Sequence, residues 1–174
     1  MIVAVMKMGQ PKHRKTVRLR GYDYNTEGAY FLTICTENRK CILSRIVGTG
    51  VPDGPKIELL PYGKIVQKHI EQISNFYNHL SVESYVIMPN HIHILLCVTG
   101  SGPSGTPVPT VQNSVVSRFV STLKRFCNKE YGENIWQARS YDHIIRDQQD
   151  FDRHLKYIYE NPFGWEKDEF YCAE

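Results

Sequence analysis

The residues predict an α+β fold, one antiparallel sheet with helices packed against it. Three observations carry the prediction. Two alternating runs, Val82 to Met88 and His91 to Leu96, flank the tight-turn signal Pro89-Asn90 and read as a hairpin in mid-sheet. Ser114 to Tyr131 keeps strict helical spacing through Val115, Val116, Phe119, Val120, Leu123, Phe126 and Cys127. Finally, the signals along the chain run β, β(β), α, β, β, α, β, α, which groups helices between antiparallel strands.

Taken in order, Ala29 to Thr36 is aromatic and β-branched and reads as the first strand. Cys41 to Val47 can pair with it. Gly48 to Pro55 is turn chemistry, and Lys56 to Leu60 reads as a short edge strand. Tyr62 to Tyr77 changes to helical period, with Ile65, Val66, His69, Ile70 and Ile73 in one stripe. After the hairpin, Thr99 to Asn113 is rich in Gly, Ser, Pro and Thr and reads as a mobile loop leaving the sheet on the histidine side. The helix from Ser114 carries Arg118, Lys124, Arg125 and Lys129 with Ser117, Ser121 and Thr122 on its outer face, side chains that suit a phosphate backbone or simply solvent. Ile135 to Gln137 and Tyr141 to Arg146 are extended. Asp147 then caps a last helix from Gln148 to about Glu160.

At 174 residues with 41% apolar content, the chain fits a single globular domain. A net charge of +3 does not by itself imply a nucleic-acid partner. Its distribution is more telling: Lys7, Lys12, Arg14, Lys15, Arg18 and Arg20 fall in one acid-free stretch, so residues 1–20 read as a flexible basic arm, for nucleic acid or merely solvated by its own charges. Five cysteines without C-x-x-C spacing read as reduced, structural thiols of a cytoplasmic protein. Neither a signal peptide nor a membrane-spanning run is visible, so no membrane partner is expected.

The chemistry concentrates in two places. In the strand from His91, alternation puts His91, His93 and Leu95 on one face and Ile92, Ile94 and Leu96 on the other. Two polar rings in so aliphatic a strand need partners, because unpaired buried polar groups are costly. In the last helix, Phe151, Leu155, Ile158 and Tyr159 form an apolar arc expected to pack on the sheet. Relative to Tyr157, Asp150 lies near about 20°, Asn161 near about 40°, His154 near about 60° and Arg153 near about −40°. Tyr157 thus belongs to a polar face. A phenol with a pKa of about 10 is a poor nucleophile until a phosphate is made electrophilic, which a metal beside it does. Pro162 biases Asn161 away from helical geometry.

The run P-N-H-I-H (Pro89 to His93) is similar to the HUH motif. W-Q-x-x-x-Y-D-H-I-I-R (Trp136 to Arg146) and Y-I-x-x-N-P (Tyr157 to Pro162) resemble the small single-tyrosine HUH transposases, and among these the REP-associated tyrosine transposases. The similarity runs from about Tyr22 to Trp165, three motifs in order. It implies a ferredoxin-like sandwich over residues 21–174, a single catalytic domain acting on single-stranded DNA near hairpins through a 5′-phosphotyrosine link. It also implies Tyr157 as nucleophile and His91, His93 and Asn161 as metal ligands. Two imidazoles accept Zn, Ni or Cu as well; the expectation of Mg or Mn follows from the phosphate substrate and the family. Arg118, Lys124, Arg125, Lys129, Arg14 and Lys15 are the candidate DNA contacts. Monomer and homodimer both stay open. Two rivals remain at this level: a hairpin-binding or autoregulatory protein of the same fold, and a hydrolase that uses metal-bound water with Tyr157 as bystander.

Overall fold

The computed structural model describes residues 22–48, 54–73, 76–100 and 114–172. Its centre is a four-stranded antiparallel sheet in the order β4-β5-β1-β6, from β1 (Gly28–Cys35), β4 (Leu80–Ile87), β5 (His91–Val98) and β6 (Tyr141–Ile144). A separate hairpin of β2 (Ser44–Val47) and β3 (Lys56–Leu59) is inserted before α1 (Pro61–Ile73). With α2 (Val115–Tyr131) leading into β6, the sheet and its two helices follow the β-α-β-β-α-β order of a ferredoxin-like fold. A third helix, α3 (Gln148–Glu160), follows β6.

The period of two in β5 sorts the core into two clusters. Ile92, Ile94 and Leu96 join Tyr30, Leu32 and Ile34 under α1 (Val66, Ile70) and α2 (Val116, Phe119, Leu123). Leu95, Phe31 and Val86 face the other way, against Ile158 of α3 and Trp165 beyond it. Helices α1 and α2 are clasped edge to edge: the Tyr131 hydroxyl donates to the Tyr62 carbonyl, and Lys68 and His69 both reach Glu130.

Helix ends obey local chemistry. Ser114 Oγ accepts from the Ser117 N–H at 3.2 Å. Gly132 stops α2 with φ +83°, a left-handed turn that glycine adopts without Cβ strain. Asp147 accepts from the Asp150 N–H at 2.8 Å and starts α3. In α1, Gly63 lies so close to the Leu43 carbonyl that any Cβ would collide with it. This contact seats the β2–β3 hairpin.

Several expectations are corrected. The segment from Cys41 contributes β2, which pairs with β3 and not with β1, because β1 is already flanked by β5 and β6. Cys41 and Cys172 form a disulfide across 131 residues, a proximity that cysteine spacing cannot reveal; Cys35, Cys97 and Cys127 are free thiols. Tyr159, assigned to the packing arc of α3, is 68% exposed; Phe151, Leu155 and Ile158 of that arc pack on the sheet, and Tyr159 lies at its outer edge. Ser117, assigned to the outer face of α2, is buried through its cap with Ser114. Asn161 is helical (φ −55°, ψ −42°) despite Pro162, because the chain continues as a 3₁₀ turn over Asn161–Lys167 in which Pro162 occupies the first turn, where no N–H is needed. The basic arm, with Arg14 and Lys15, and residues 101–113 of the expected mobile loop lie outside the described residues. No helix among those described is long and apolar enough to cross a membrane.

Candidate active site

Strand register assembles the site. Across β6, β1, β5 and β4 the pairs Tyr141↔Thr33, Thr33↔His93 and His93↔Val86 put these four residues in one row on one face. His91 lies one step along on β5, opposite Cys35. Both histidines are buried, and their Nε2 atoms stand 3.0 Å apart.

The second ring nitrogens have assigned partners. Asn90 Nδ2 donates to the Phe170 carbonyl at 2.7 Å and to the Arg39 carbonyl at 3.3 Å, which leaves its Oδ1 as acceptor for His91 Nδ1–H at 2.9 Å. His91 therefore carries its proton on Nδ1 and a lone pair on Nε2. His93 Nδ1 meets Thr33 Oγ1 at 2.9 Å, and a hydroxyl can serve either tautomer. Burial holds both imidazoles neutral, His91 down to about 2 with help from His93 and Arg39, and His93 down to about 3 with help from His154.

Helix α3 delivers Tyr157 to this pair. Its ring lies 5.2 Å from the His93 ring and 5.9 Å from Phe31, yet it remains 41% exposed and open to a substrate. Burial raises the phenol above its usual range, the Asp168 carboxylate adds to this, and the Asn161 amide pulls the other way. One turn on, Asn161 is buried, and its Oδ1 has no hydrogen-bond partner among the described residues.

The two imidazole nitrogens have the spacing a divalent cation takes. Two nitrogens bound at about 2.1 Å and roughly at right angles stand about 3.0 Å apart, the separation seen between the two Nε2 atoms. An orphaned amide oxygen is the kind of oxygen donor such an ion takes. A second group, His143, Asp150 and His154, also has ligand atoms within 4.8 Å of one another and is a possible metal site. Its members already satisfy each other: His143 Nε2 is 2.8 Å from Asp150 Oδ2, and His154 Nδ1 is 2.8 Å from the Asp150 carbonyl oxygen.

The remaining cationic candidates are not gathered here. Helix α2 covers the opposite face of the sheet, where Arg118, Arg125 and Lys129 are exposed. Lys124 donates to the Gln137 carbonyl at 2.8 Å. Sequence reasoning missed Thr33, Phe31 and Phe170. Only strand register, or the return of the chain end across His91 at a ring distance of 4.7 Å, places them in the site. Asn90 was legible as a turn residue, and its neighbour in P-N-H was the one signal of a supporting role.

No protein-family model matches the chain. It is 32% identical over 174 residues to an uncharacterised protein of Haemophilus influenzae, across 91% of this chain and 93% of that one. It is 31% identical over 88 residues to the REP-associated tyrosine transposase of Escherichia coli, 49% of this chain and 47% of the relative. A solved structure of a REP-associated tyrosine transposase bound to a REP hairpin matches 84% of this chain and 72% of its own, with a TM-score of 0.55 at 20% identity, a likeness of fold. The chain is thus a distant homologue of REP-associated tyrosine transposases and shares the fold of the hairpin-bound structure.

Proposed function

We propose that this protein cleaves and rejoins single-stranded DNA near hairpins through a covalent link to Tyr157. The observation that carries the reading is the packing of the Tyr157 ring on His93, 5.2 Å between centroids, beside two imidazole nitrogens 3.0 Å apart. His91, His93 and Asn161 would hold the cation, Mg or Mn. When bound, that cation supplies polarisation of a non-bridging phosphate oxygen and neutralises developing charge.

The chain's own residues do the rest. Asn90 and Thr33 hold the two rings through their Nδ1 atoms, which orients both Nε2 atoms toward one point. Tyr157 attacks phosphorus: its Oη–P bond forms, the P–O3′ bond breaks, the phenolic proton passes to solvent, and the departing 3′-oxygen takes up a proton. A 5′-phosphotyrosine and a free 3′-hydroxyl result, and reversal by another 3′-hydroxyl rejoins the strand. Because a phenol is protonated at neutral pH and burial only adds to this, attack depends on activation of the phosphate. Residues 21–174 form the catalytic domain in this reading, and the basic arm of residues 1–20 with Arg118, Arg125 and Lys129 adds DNA contacts away from the site. A cytoplasmic location fits such a substrate, with the protein acting as monomer or dimer.

The test is incubation with single-stranded oligonucleotides from the flanking genomic DNA, hairpins included, with Mg or Mn. A covalent protein–DNA band, lost in Tyr157→Phe and on chelation, is expected. Binding with no band under any condition would instead favour a hairpin-binding role, and cleavage retained by Tyr157→Phe would favour a metal-dependent hydrolase.

A further inference from the structure

A cavity of about 390 Å³ opens beside Tyr157, near the lower end of the range for small-molecule sites. Its floor is the row of Tyr141, Thr33 and His93 with Phe31. The chain end supplies the far wall, Glu169 and Phe170, and Arg153 of α3 stands at the rim. This wall is anchored. Arg39 donates to the Glu169 carbonyl at 3.0 Å and lies over the Phe170 ring at 4.7 Å, and the Cys41–Cys172 disulfide ties down the residues that follow.

We infer that this cavity reads one unstacked nucleobase next to the phosphate that Tyr157 attacks, and that Glu169 selects a base presenting an amino group, cytosine or adenine, over thymine. The inference rests on the proposed DNA reaction for its place in the site. Four features point to a base. The lining is largely aromatic and imidazole rings, and stacking on aromatic side chains is how unpaired bases are held. Tyr141 is 52% exposed at the mouth, a large ring face that a stacked base would cover. Arg153 is also exposed, and its guanidinium reaches Asp150 only at 3.7 Å, so it is able to turn to a phosphate. The Glu169 carboxylate accepts but cannot donate; it pairs with the N4 amino group of cytosine and opposes the O4 of thymine.

The experiment uses the full chain carrying Tyr157→Phe, which separates binding from cleavage, with fluorescein-labelled short homopolymers of deoxycytidine and deoxythymidine at fixed low salt. Anisotropy should give about tenfold tighter binding of the cytosine strand. Glu169→Gln, whose amide serves either base, should bring the two within about twofold. Tyr141→Ala should weaken both by about five- to tenfold, and Tyr141→Phe should restore them. Equal binding of both strands, no measurable binding of either, or a preference unchanged by Glu169→Gln would overturn the inference. Adduct formation by the wild-type protein is read separately. An adduct without base preference sinks the pocket and leaves the nuclease standing, and base preference without any adduct does the reverse.

Discussion

The two faces of β5 differ in what holds them. Ile92, Ile94 and Leu96 face helices α1 and α2 across a fully buried hydrocarbon layer. His91 and His93, from the same eight residues, are equally buried but face side chains that must each supply a directed bond: Asn90, Thr33 and, in the proposed site, Asn161. One face is maintained by volume, which tolerates rearrangement at moderate cost. The other is maintained by donors and acceptors, where a missing partner leaves a buried polar atom unsatisfied. A stable sheet does not require the second arrangement; a site for an ion and a nucleophile does.

The comparison can be broken most sharply at Tyr157. Tyr157→Phe should lower covalent adduct formation by at least about 10³-fold while the urea midpoint shifts little, because the ring and its packing are kept and only one hydroxyl is removed. On the opposite face, Phe119→Ala should cost about 3–5 kcal/mol of stability by cavity formation. The adduct rate per folded molecule should not change. A loss of activity beyond the unfolded fraction would show that the two faces are coupled.

Thr33→Val keeps the shape of the β1 side chain and removes the partner of His93 Nδ1. Metal affinity, followed by calorimetric titration, should fall by about tenfold or more. No change would mean that the ring is held by packing against Phe31 alone. The same histidines give a pH signature in the chelated protein. Folded His91 and His93 resist protonation down to about 2 and about 3, whereas unfolded imidazoles titrate near about 6.5. The unfolded chain therefore takes up protons first as pH falls. Stability should be full above about 6.5 and decline steadily below it toward the folded values. Denaturation midpoints at several pH values would measure this, and His93→Gln should flatten the slope by about one proton. The smallest effect is expected at Tyr159, two residues from Tyr157 but 68% exposed. Tyr159→Phe should leave both adduct yield and stability within about twofold, and a large loss there would mean that the nucleophile has been misassigned.

Much of the fold was readable from local pattern. The hairpin around Pro89-Asn90, the helical period that ends at Tyr131 and the cap at Asp147 depend on residues within a few positions of each other, and all three stand as expected. The reading of α3 succeeded only in part. Phase separated Tyr157 from Tyr159, and Phe151, Leu155 and Ile158 pack on the sheet as expected, but Tyr159 at the edge of their arc stays in solvent while Tyr157 reaches His93 and Phe31. Asn161 shows the same limit: Pro162 argued against helical geometry, and the following 3₁₀ turn overrode it.

By itself, then, the sequence determined the order of strands and helices, the pairing of two histidines on one strand face and the phase of the tyrosine, since each follows from a period of two or of 3.6 residues. Tertiary structure alone decided that Thr33 on β1 would meet His93, that the chain end would cross His91 to wall a cavity, and that Cys41 would meet Cys172. Those contacts join residues 60 to 131 positions apart. Their closeness is fixed by strand register and by packing of the whole chain, quantities that no local window of residues contains.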